Sequence, residues 1–563
     1  MAVVARRTVY LLLIALLLLT IAVRYPLVEH ERNQTDSYFV HYLSQSVVDN
    51  GRAKWIFNPL SYLGYYPFSY PSGVPFLLAE LSSLTGLSIE ASVLLADILT
   101  ATLFTLAVFV LGRCFLIRPE LVLFATFFAL LGSRFVDTSY WCGSARGLVV
   151  VLATLVVFTT FRASRGGRNR LLLVATLLGV GCFTAHHMAV ILVLFGVGYL
   201  IAIFQTQFVF QRVGVHKRAA VIACNVLIAV AIAILVFGYL DFFESLGFAD
   251  FEKTSLFSLN PPILSVLINM AASYTNQIGF ILVLAILGIP GFLRHSYLGM
   301  ETLFPLSLML AFIPLLGNAL YVSMLLSPFV AILGVSAISR YWRYVKRKSF
   351  AVFAVAVLAA SSLLLPIWST QRWNEREYPS GEEVEVANQV FNDASYLREN
   401  ANGASAISNV NVMAVLLAAT ADTAFLGSGI YMTLSDDIRY EDIQRNITWS
   451  NAPFPRNLYN WFEYHQTPDV RLYLLGLIIL GLSFINGPQR HLLAADYFTH
   501  HPKLIVAVDN ARPYQYVDSY STHPSNFLTE IRSSFSPWGG LEFQSYKFYE
   551  SGGVTLYLVK LPL

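Results

Sequence analysis

Asp36 stands shortly after the first apolar run, in the stretch Asn33–Pro75 that opens NQTDSYFVHYLSQ. A carboxylate just outside a bilayer, followed at once by the amphipathic, aromatic segment that Tyr38 begins, has two readings. Thr35 or Asp36 can cap the helix of that segment by accepting from backbone N–H groups of its first turn. Asp36 can also serve as a general base, or as a carboxylate that holds a metal, on the water side of a membrane pocket. One residue can do both. Asp137 lies in a second short loop, GSRFVDTSYWCGSARG, crowded with Arg134, Arg146, Tyr140 and Trp141. Arg146 falls within a residue or two of the next apolar run. A guanidinium fork matches phosphate oxygens two at a time, so Arg146 suits a lipid phosphate; the same side chain could instead snorkel to headgroups. His186 and His187 interrupt a long apolar stretch. They could hydrogen-bond between helices, bind a phosphate or a sugar hydroxyl, or help a metal. Asp97 sits inside an apolar helix, where a carboxylate marks either function or a buried interhelical bond. Arg32 and Glu80 are further charged candidates. The Tyr-rich loop Tyr62–Tyr70 could stack on sugar rings, and such residues also belong at any membrane interface.

The elements that must position these residues are apolar helices. The 563-residue chain is 56% hydrophobic and only 13% charged, about half the charge of a soluble domain, so lipid is the solvent for much of it. Runs long enough to span fall at 8–25, 90–112, 119–136, 146–163, 169–185, 187–206, 218–240, 275–293, 301–316, 319–340 and 349–367. The first, after Arg6-Arg7, resembles a signal peptide but has no small-residue cleavage site, and reads as a retained helix. Arginine and lysine concentrate in alternate loops, from Arg6 and Arg7 through Arg113 and Arg118 to the cluster ending at Lys348. The positive-inside rule then places the N-terminus in the cytoplasm and the C-terminal part outside, which an odd count of about eleven spans satisfies. Residues 241–274 read as a longer external loop whose PPILSVLINMAASY segment is an interfacial helix.

After Trp368 the composition turns polar. The expected organisation is a transmembrane domain over 1–367, with a first external loop over about 26–89, and an extracytoplasmic α/β domain over 368–563. That domain has a helix-like stretch at 382–400, strand-like runs at Leu504–Val508 and Val554–Lys560, and an apolar run, Leu472–Ile485, too short to span and therefore core. Four cysteines show no metal-like spacing; Cys142 and Cys182 are the pair that could bridge. Sequons occur at Asn33 and Asn446. No P-loop, dinucleotide fingerprint or His/Cys ligand pattern is present, and nothing points to nucleic acid.

The order of these features resembles a known family. A short N-terminal helix, then Asp36-Ser37-Tyr38-Phe39, an amphipathic helix, Asn58-Pro59-Leu60-Ser61-Tyr62 and Tyr70-Pro71-Ser72-Gly73 are similar to the first external loop of C-type (GT-C) membrane glycosyltransferases. The nearest likeness is to oligosaccharyltransferase catalytic subunits and their archaeal and bacterial relatives. It extends weakly to Tyr396-Leu397-Arg398-Glu399-Asn400, which resembles the helix opening their external domain. The resemblance implies that Asp36 is the catalytic carboxylate, assisted by an acidic residue of the second loop through a divalent cation, magnesium or manganese. That second residue is Asp137, which lacks an adjacent acidic partner. The Trp-Trp-Asp signature of acceptor-sequon recognition is missing, which argues against transfer to asparagine sequons.

The function expected is transfer of a sugar from a polyprenyl-phosphate-linked donor to a glycan, lipid or protein acceptor, with inversion, in a prokaryotic plasma membrane. Asp36 and Asp137 act in catalysis; Arg146, His186, His187, Arg134 and Tyr38 bind substrate. Two other classes stand beside it. A transporter or flippase would suit Asp97 and the histidine pair but predicts paired repeats that the sequence lacks. A non-catalytic paralogue, anchored by its membrane part and binding a partner, would suit the lone Asp137.

Overall fold

The computed structural model describes residues 6–26, 28–32, 37–53, 56–57, 65–66, 71–166, 169–209, 227–228, 263–293, 299–315, 319–342, 348–377, 390–401, 405–408, 417, 424–425, 432–433, 503–509, 544–551 and 554–560. In hydrocarbon every backbone polar group must be satisfied within the segment, so the apolar runs form helices. They are α1 (Arg6–Val23), α4 (Ile89–Phe115), α5 (Pro119–Leu130), α6 (Ser133–Asp137), α7 (Ala145–Gly166), α8 (Asn169–Ala185), α9 (Leu192–Phe204), α10 (Ile263–Ile278), α11 (Ile281–Leu293), α12 (Met300–Ala311), α13 (Ala319–Tyr341) and α14 (Lys348–Glu377). Between α1 and α4 lie α2 (Ser37–Asn50) and α3 (Gly73–Thr85). A 3-10 turn, His187–Ile191, leads into α9, and a π turn, Gln205–Val209, follows it.

Five described helices are long and apolar enough to cross a membrane, or six if a pair bent by 117° counts as one broken span. The segments Pro119–Leu130, Arg170–Ala185 and Ala351–Ile367 are apolar but shorter. Two expected spans are interrupted. The run 119–136 stops at Leu130 and restarts as α6, with Gly132 as the N-cap residue between. The run 275–293 is not one helix. Its first residues close α10, which begins at Ile263 within the expected interfacial segment, and the chain breaks at Gly279, whose φ of +98° suits glycine alone. Hydropathy counts apolar length and does not register a left-handed residue. The expected span 218–240 lies outside the described residues apart from 227–228.

By contact the chain divides into two units. One holds Met1–Pro26, Leu95–Trp141 and Ala145–Trp373; the other holds Leu27–Leu94, Cys142–Ser144 and Asn374–Leu563. In the first, α13 is the most buried of the spanning helices, while α1 presents Leu11, Ile14 and Leu18 outward. Small residues let backbones close on one another. A Cβ on Gly334 would lie 2.7 Å from the Ile281 side chain, one on Gly288 would lie 2.7 Å from Ala337 Cβ, and one on Gly198 would lie 2.9 Å from Leu308 Cα. Phe115, Phe161, Phe304 and Phe329 form a ring cluster in the interior. Arg165, in the last turn of α7, pairs with Glu301 in the first turn of α12, each charge placed at the helix end that favours it.

The second unit contains α2, α3, a helix α15 (Ala394–Ala401) and eight strands: β1 (Ile56–Phe57), β2 (Tyr65–Tyr66), β3 (Ser405–Ser408), β4 (Ala424–Phe425), β5 (Met432–Thr433), β6 (Lys503–Asp509), β7 (Gln544–Ser551) and β8 (Val554–Lys560). A five-stranded sheet has the order β4-β3-β6-β8-β7. β3 runs parallel to β4 and β6, and β8 antiparallel to β6 and β7, with Ser551 opposite Val554 across the Gly552-Gly553 pair of the sequence. The strand-like runs at 504–508 and 554–560 are thus β6 and β8. A small sheet, β2-β1-β5, pairs the first loop with residues far along the chain: Ile56 faces Thr433 and Phe57 faces Met432. The run 472–485 and both sequon asparagines lie outside the described residues. Cys142 and Cys182 are buried, and the bridge that the sequence allowed is not formed.

Candidate active site

The second loop is built from the break after α5. Gly132 is the N-cap residue of the short α6, and all five residues of that helix are buried, Arg134 and Asp137 among them. Side chains tie the turn that follows back onto α6. Thr138 Oγ1 donates to the Arg134 carbonyl at 3.2 Å, and Ser139 Oγ donates to the Phe135 carbonyl at 2.6 Å. Trp141 then takes a φ of +49°, the one positive φ at a non-glycine residue among those described. For a bulky side chain this is a true outlier, of the kind that surrounding structure must enforce and that concentrates at functional sites.

Arg146 is the second residue of α7 and is buried. Its guanidinium carbon lies 5.7 Å from the centroid of the Tyr321 ring at the start of α13. The His186 ring stands 6.4 Å from the same ring. Two of the substrate-binding candidates therefore gather on one tyrosine. His186 also caps the 3-10 turn: its Nδ1 accepts from the Met188 N–H at 2.9 Å. A ring nitrogen that accepts carries no proton, so the imidazole is in its neutral form with hydrogen on Nε2. The side chain of His187 lies outside the described residues.

Asp36 also lies outside them. The residue after it is placed. Ser37 begins α2, is fully buried, and its Oγ accepts from the Gly143 N–H at 2.7 Å. A side chain at Gly143 would be tight, since a Cβ there would sit 3.3 Å from both Ser37 O and Ser37 Oγ. So the chain beside Asp36 is held against the stretch Cys142–Ser144, which leads directly into Arg146.

Tyr38 is buried, its ring meeting that of Phe391 edge to face at 5.9 Å between centroids. Around it is a network of paired acids and histidines. His41 Nδ1 donates to Glu31 Oε1 at 2.6 Å, and His30 Nδ1 donates to Glu90 Oε1 at 2.9 Å, with Nε2 of His30 meeting Asn392 Oδ1 at 3.3 Å. Phe391 stacks flat on His30 at 4.7 Å. Burial pushes the Glu31 carboxyl above its usual range, and Oε2 of that group has no partner among the described residues. Burial alone would lower His41; the charge and hydrogen bond of Glu31 more than reverse this, so His41 holds its proton above the ordinary histidine value. For His30 the hydrogen bond to Glu90 comes first, and its pKa is raised too.

Among the described residues no group of three or more His, Cys, Asp or Glu could hold a metal ion. Asp36, the first of the two carboxylates expected to hold a divalent cation, is not one of the described residues.

The folded chain is similar to solved glycosyltransferase structures. A crystal structure of the Archaeoglobus fulgidus oligosaccharyltransferase in complex with zinc and sulfate matches at 12% identity, over 88% of this chain and 67% of that one, with a TM-score of 0.51. The apo form of the same enzyme matches at 11% identity, over 98% and 74%, with a TM-score of 0.50. The chain shares the oligosaccharyltransferase fold. The likeness is one of fold. ArnT from Cupriavidus metallidurans in the apo state matches at 11% identity over 98% of this chain and 97% of that one, with a TM-score of 0.49. No protein-family model and no curated protein matches the sequence.

Several residues of this architecture escaped the sequence reading: Arg24, Glu31, His41, Glu90, His30 and Tyr321. Arg24 had a usable signal, since an arginine at the far end of the first span runs against the positive-inside bias as Arg146 does. The others are ordinary residues in loops or at helix starts, and only the packing brings them together.

Proposed function

We propose that the protein is a membrane glycosyltransferase that moves a sugar from a polyprenyl-phosphate-linked donor to an acceptor at the extracytoplasmic face of a prokaryotic plasma membrane. Its N-terminus lies in the cytoplasm, and residues 368–563 form an extracytoplasmic domain. The observation that carries this reading is Arg146, a buried guanidinium in the first turn of α7 that lies over the Tyr321 ring which His186 also approaches. The helix N-terminus and the guanidinium both favour an anion at that point. A departing lipid phosphate is such an anion.

In the reaction, the acceptor oxygen attacks the anomeric carbon from the side opposite the phosphate. Its proton passes to the Asp36 carboxylate, the new C–O bond forms, and the bond from the anomeric carbon to the phosphate oxygen breaks. The electron pair leaves with the phosphate, and its negative charge is balanced by Arg146, with Nε2–H of His186 as a further donor. Attack from the opposite side inverts the anomeric centre. A carboxylate base of this kind supplies roughly 10²–10⁴ in rate. Asp137 and Arg134 line the second loop as the assisting pair, and His187 and Tyr38 complete the proposed set, Tyr38 through the packing of α2.

The test is transfer of radiolabelled hexose from a polyprenyl-phosphate donor, with purified chain in proteoliposomes supplemented with membrane extract as acceptor source. Asp36→Asn, with native melting behaviour, should lose about 100-fold or more of transfer. Arg146→Met should raise the KM for the donor. Full transfer by Asp36→Asn sinks the assignment. Movement of intact donor across the bilayer without any labelled acceptor would favour a flippase instead.

A further inference from the structure

We propose that Arg24 is a positioning residue that clamps α6 and the strained turn at Trp141, and so sets where Asp137 and Arg134 stand. Arg24 follows directly on α1 and is completely buried. Nε donates to Ser139 Oγ at 2.9 Å, Nη1 donates to the Thr20 carbonyl at 3.3 Å, and the guanidinium lies over the Phe135 ring at 5.2 Å. Ser139 Oγ passes the connection on by donating to the Phe135 carbonyl inside α6. One arginine thus holds α6 by a ring face and the following turn by a hydroxyl. The base of the clamp is itself fixed. Thr20 and Thr105 hydroxyls meet at 3.0 Å, tying α1 to α4, and Phe104 of α4 packs on Phe135 at 4.0 Å. Asp97 of α4 is the carboxylate whose charge acts on Arg24.

Stability is a poor reason to keep this arrangement. Nη2 of Arg24 is buried with no hydrogen-bond partner among the described residues. Buried charge pairs can be replaced by apolar residues of similar volume with neutral or favourable effect on folding. What an apolar residue cannot do is donate to Ser139. The inference rests on the role proposed above for Asp137, but its test needs no transfer activity.

Cys142 supplies the reporter, since it is buried, in no disulfide, and three residues past Ser139 in the chain, while Cys114 and Cys182 are buried controls. The paired variant Arg24→Met with Asp97→Leu removes the charges together and should melt close to the native chain. Maleimide labelling of Cys142 in the full detergent-solubilised protein, read peptide by peptide, should still rise about tenfold or more, the factor carried by one charge-assisted hydrogen bond. Ser139→Ala, which leaves both charges in place, should raise Cys142 labelling in the same way, with Cys114 and Cys182 unchanged. Native protection of Cys142 in the paired variant would overturn the proposal, as would a common rise at all three cysteines in Ser139→Ala. If transfer proves absent while Cys142 responds as expected, the clamp stands and the enzymatic reading falls.

Discussion

The acid–histidine network of the second unit makes the chain sensitive to alkali. Glu31 and His41 are buried and joined at 2.6 Å, and through Phe391 the network reaches the segment that runs into α15. His41→Ala would strand Glu31. An ionised carboxylate left there would cost about 3–5 kcal/mol. Burial already favours its protonated form, so the group takes up a proton and the loss settles near 1–3 kcal/mol, that of a buried hydrogen bond left unmade. Glu31→Gln keeps an acceptor for Nδ1–H of His41 and should cost only about 1 kcal/mol. The pH dependence has a definite sign. Glu31, His41 and His30 all bind their protons more tightly in the folded chain than in the unfolded one. For His41 the stabilisation is complete below its unfolded value of 6.5 and is lost as pH rises through the higher folded value. The steepest loss is about 1.4 kcal/mol per pH unit for one proton. Hydrogen exchange of the peptide covering residues 390–401, corrected for intrinsic rates, should show protection falling between about pH 6 and pH 8. A variant carrying both Glu31→Gln and His41→Gln should lessen that fall, leaving the part that His30 contributes. Protection that stays level across the range in the native chain, or an undiminished slope in the double variant, refutes the reasoning.

Three further outcomes follow from packing. Gly143→Ala places a Cβ 3.3 Å from Ser37 O, tight enough to shift the start of α2 beside Asp36; hexose transfer should drop while the melting temperature changes little. Gly334→Ala brings a methyl group to 2.7 Å from Ile281 and 2.9 Å from its backbone oxygen, and the melting curve in detergent should show a loss of about 1–3 kcal/mol. Neither Cys142 nor Cys182 is in a disulfide: intact mass after alkylation under denaturing, non-reducing conditions should show both modified, and a reductant should leave the melting temperature where it was.

The sequence carried the solvent of the membrane part and the order of its loops, because apolar length and basic-residue bias are local properties of the chain. It could not carry the breaks. Leu131-Gly132 and Gly279 sit inside runs whose hydropathy is uniform, and what divides them is a backbone conformation. The sheet beyond Trp373 was legible where strands are long runs rich in β-branched and apolar residues, as at β6 and β8, and not where β1 and β5 pair two residues each across most of the chain. The same limit governs the site. Asp97 stood out at once as a carboxylate in an apolar helix, yet Arg24, on which its charge acts, belongs to another helix and follows an unremarkable leucine-rich run. Arg146 and His186 were each visible as polar residues at helix ends; Tyr321, the ring they share, looks like any interfacial tyrosine.

Distance along the chain explains which part of the site was hidden. Each residue that the sequence singled out is costly where it stands: a charge in lipid, a histidine pair in an apolar stretch, an arginine on the wrong side. Cost marks a residue without naming its partner. The residues it missed are those that offset the cost from elsewhere in the fold, such as Ser139 for Arg24 and Tyr321 for Arg146. Hydroxyls and aromatic rings carry no local penalty in a membrane helix, so they give no warning. Their roles are nonetheless separable by experiment, because a hydroxyl can be removed without leaving a buried charge behind. If Ser139→Ala loosens the second loop as Arg24 loss does, the offsetting residues, rather than the conspicuous ones, set the geometry in which Asp137 acts.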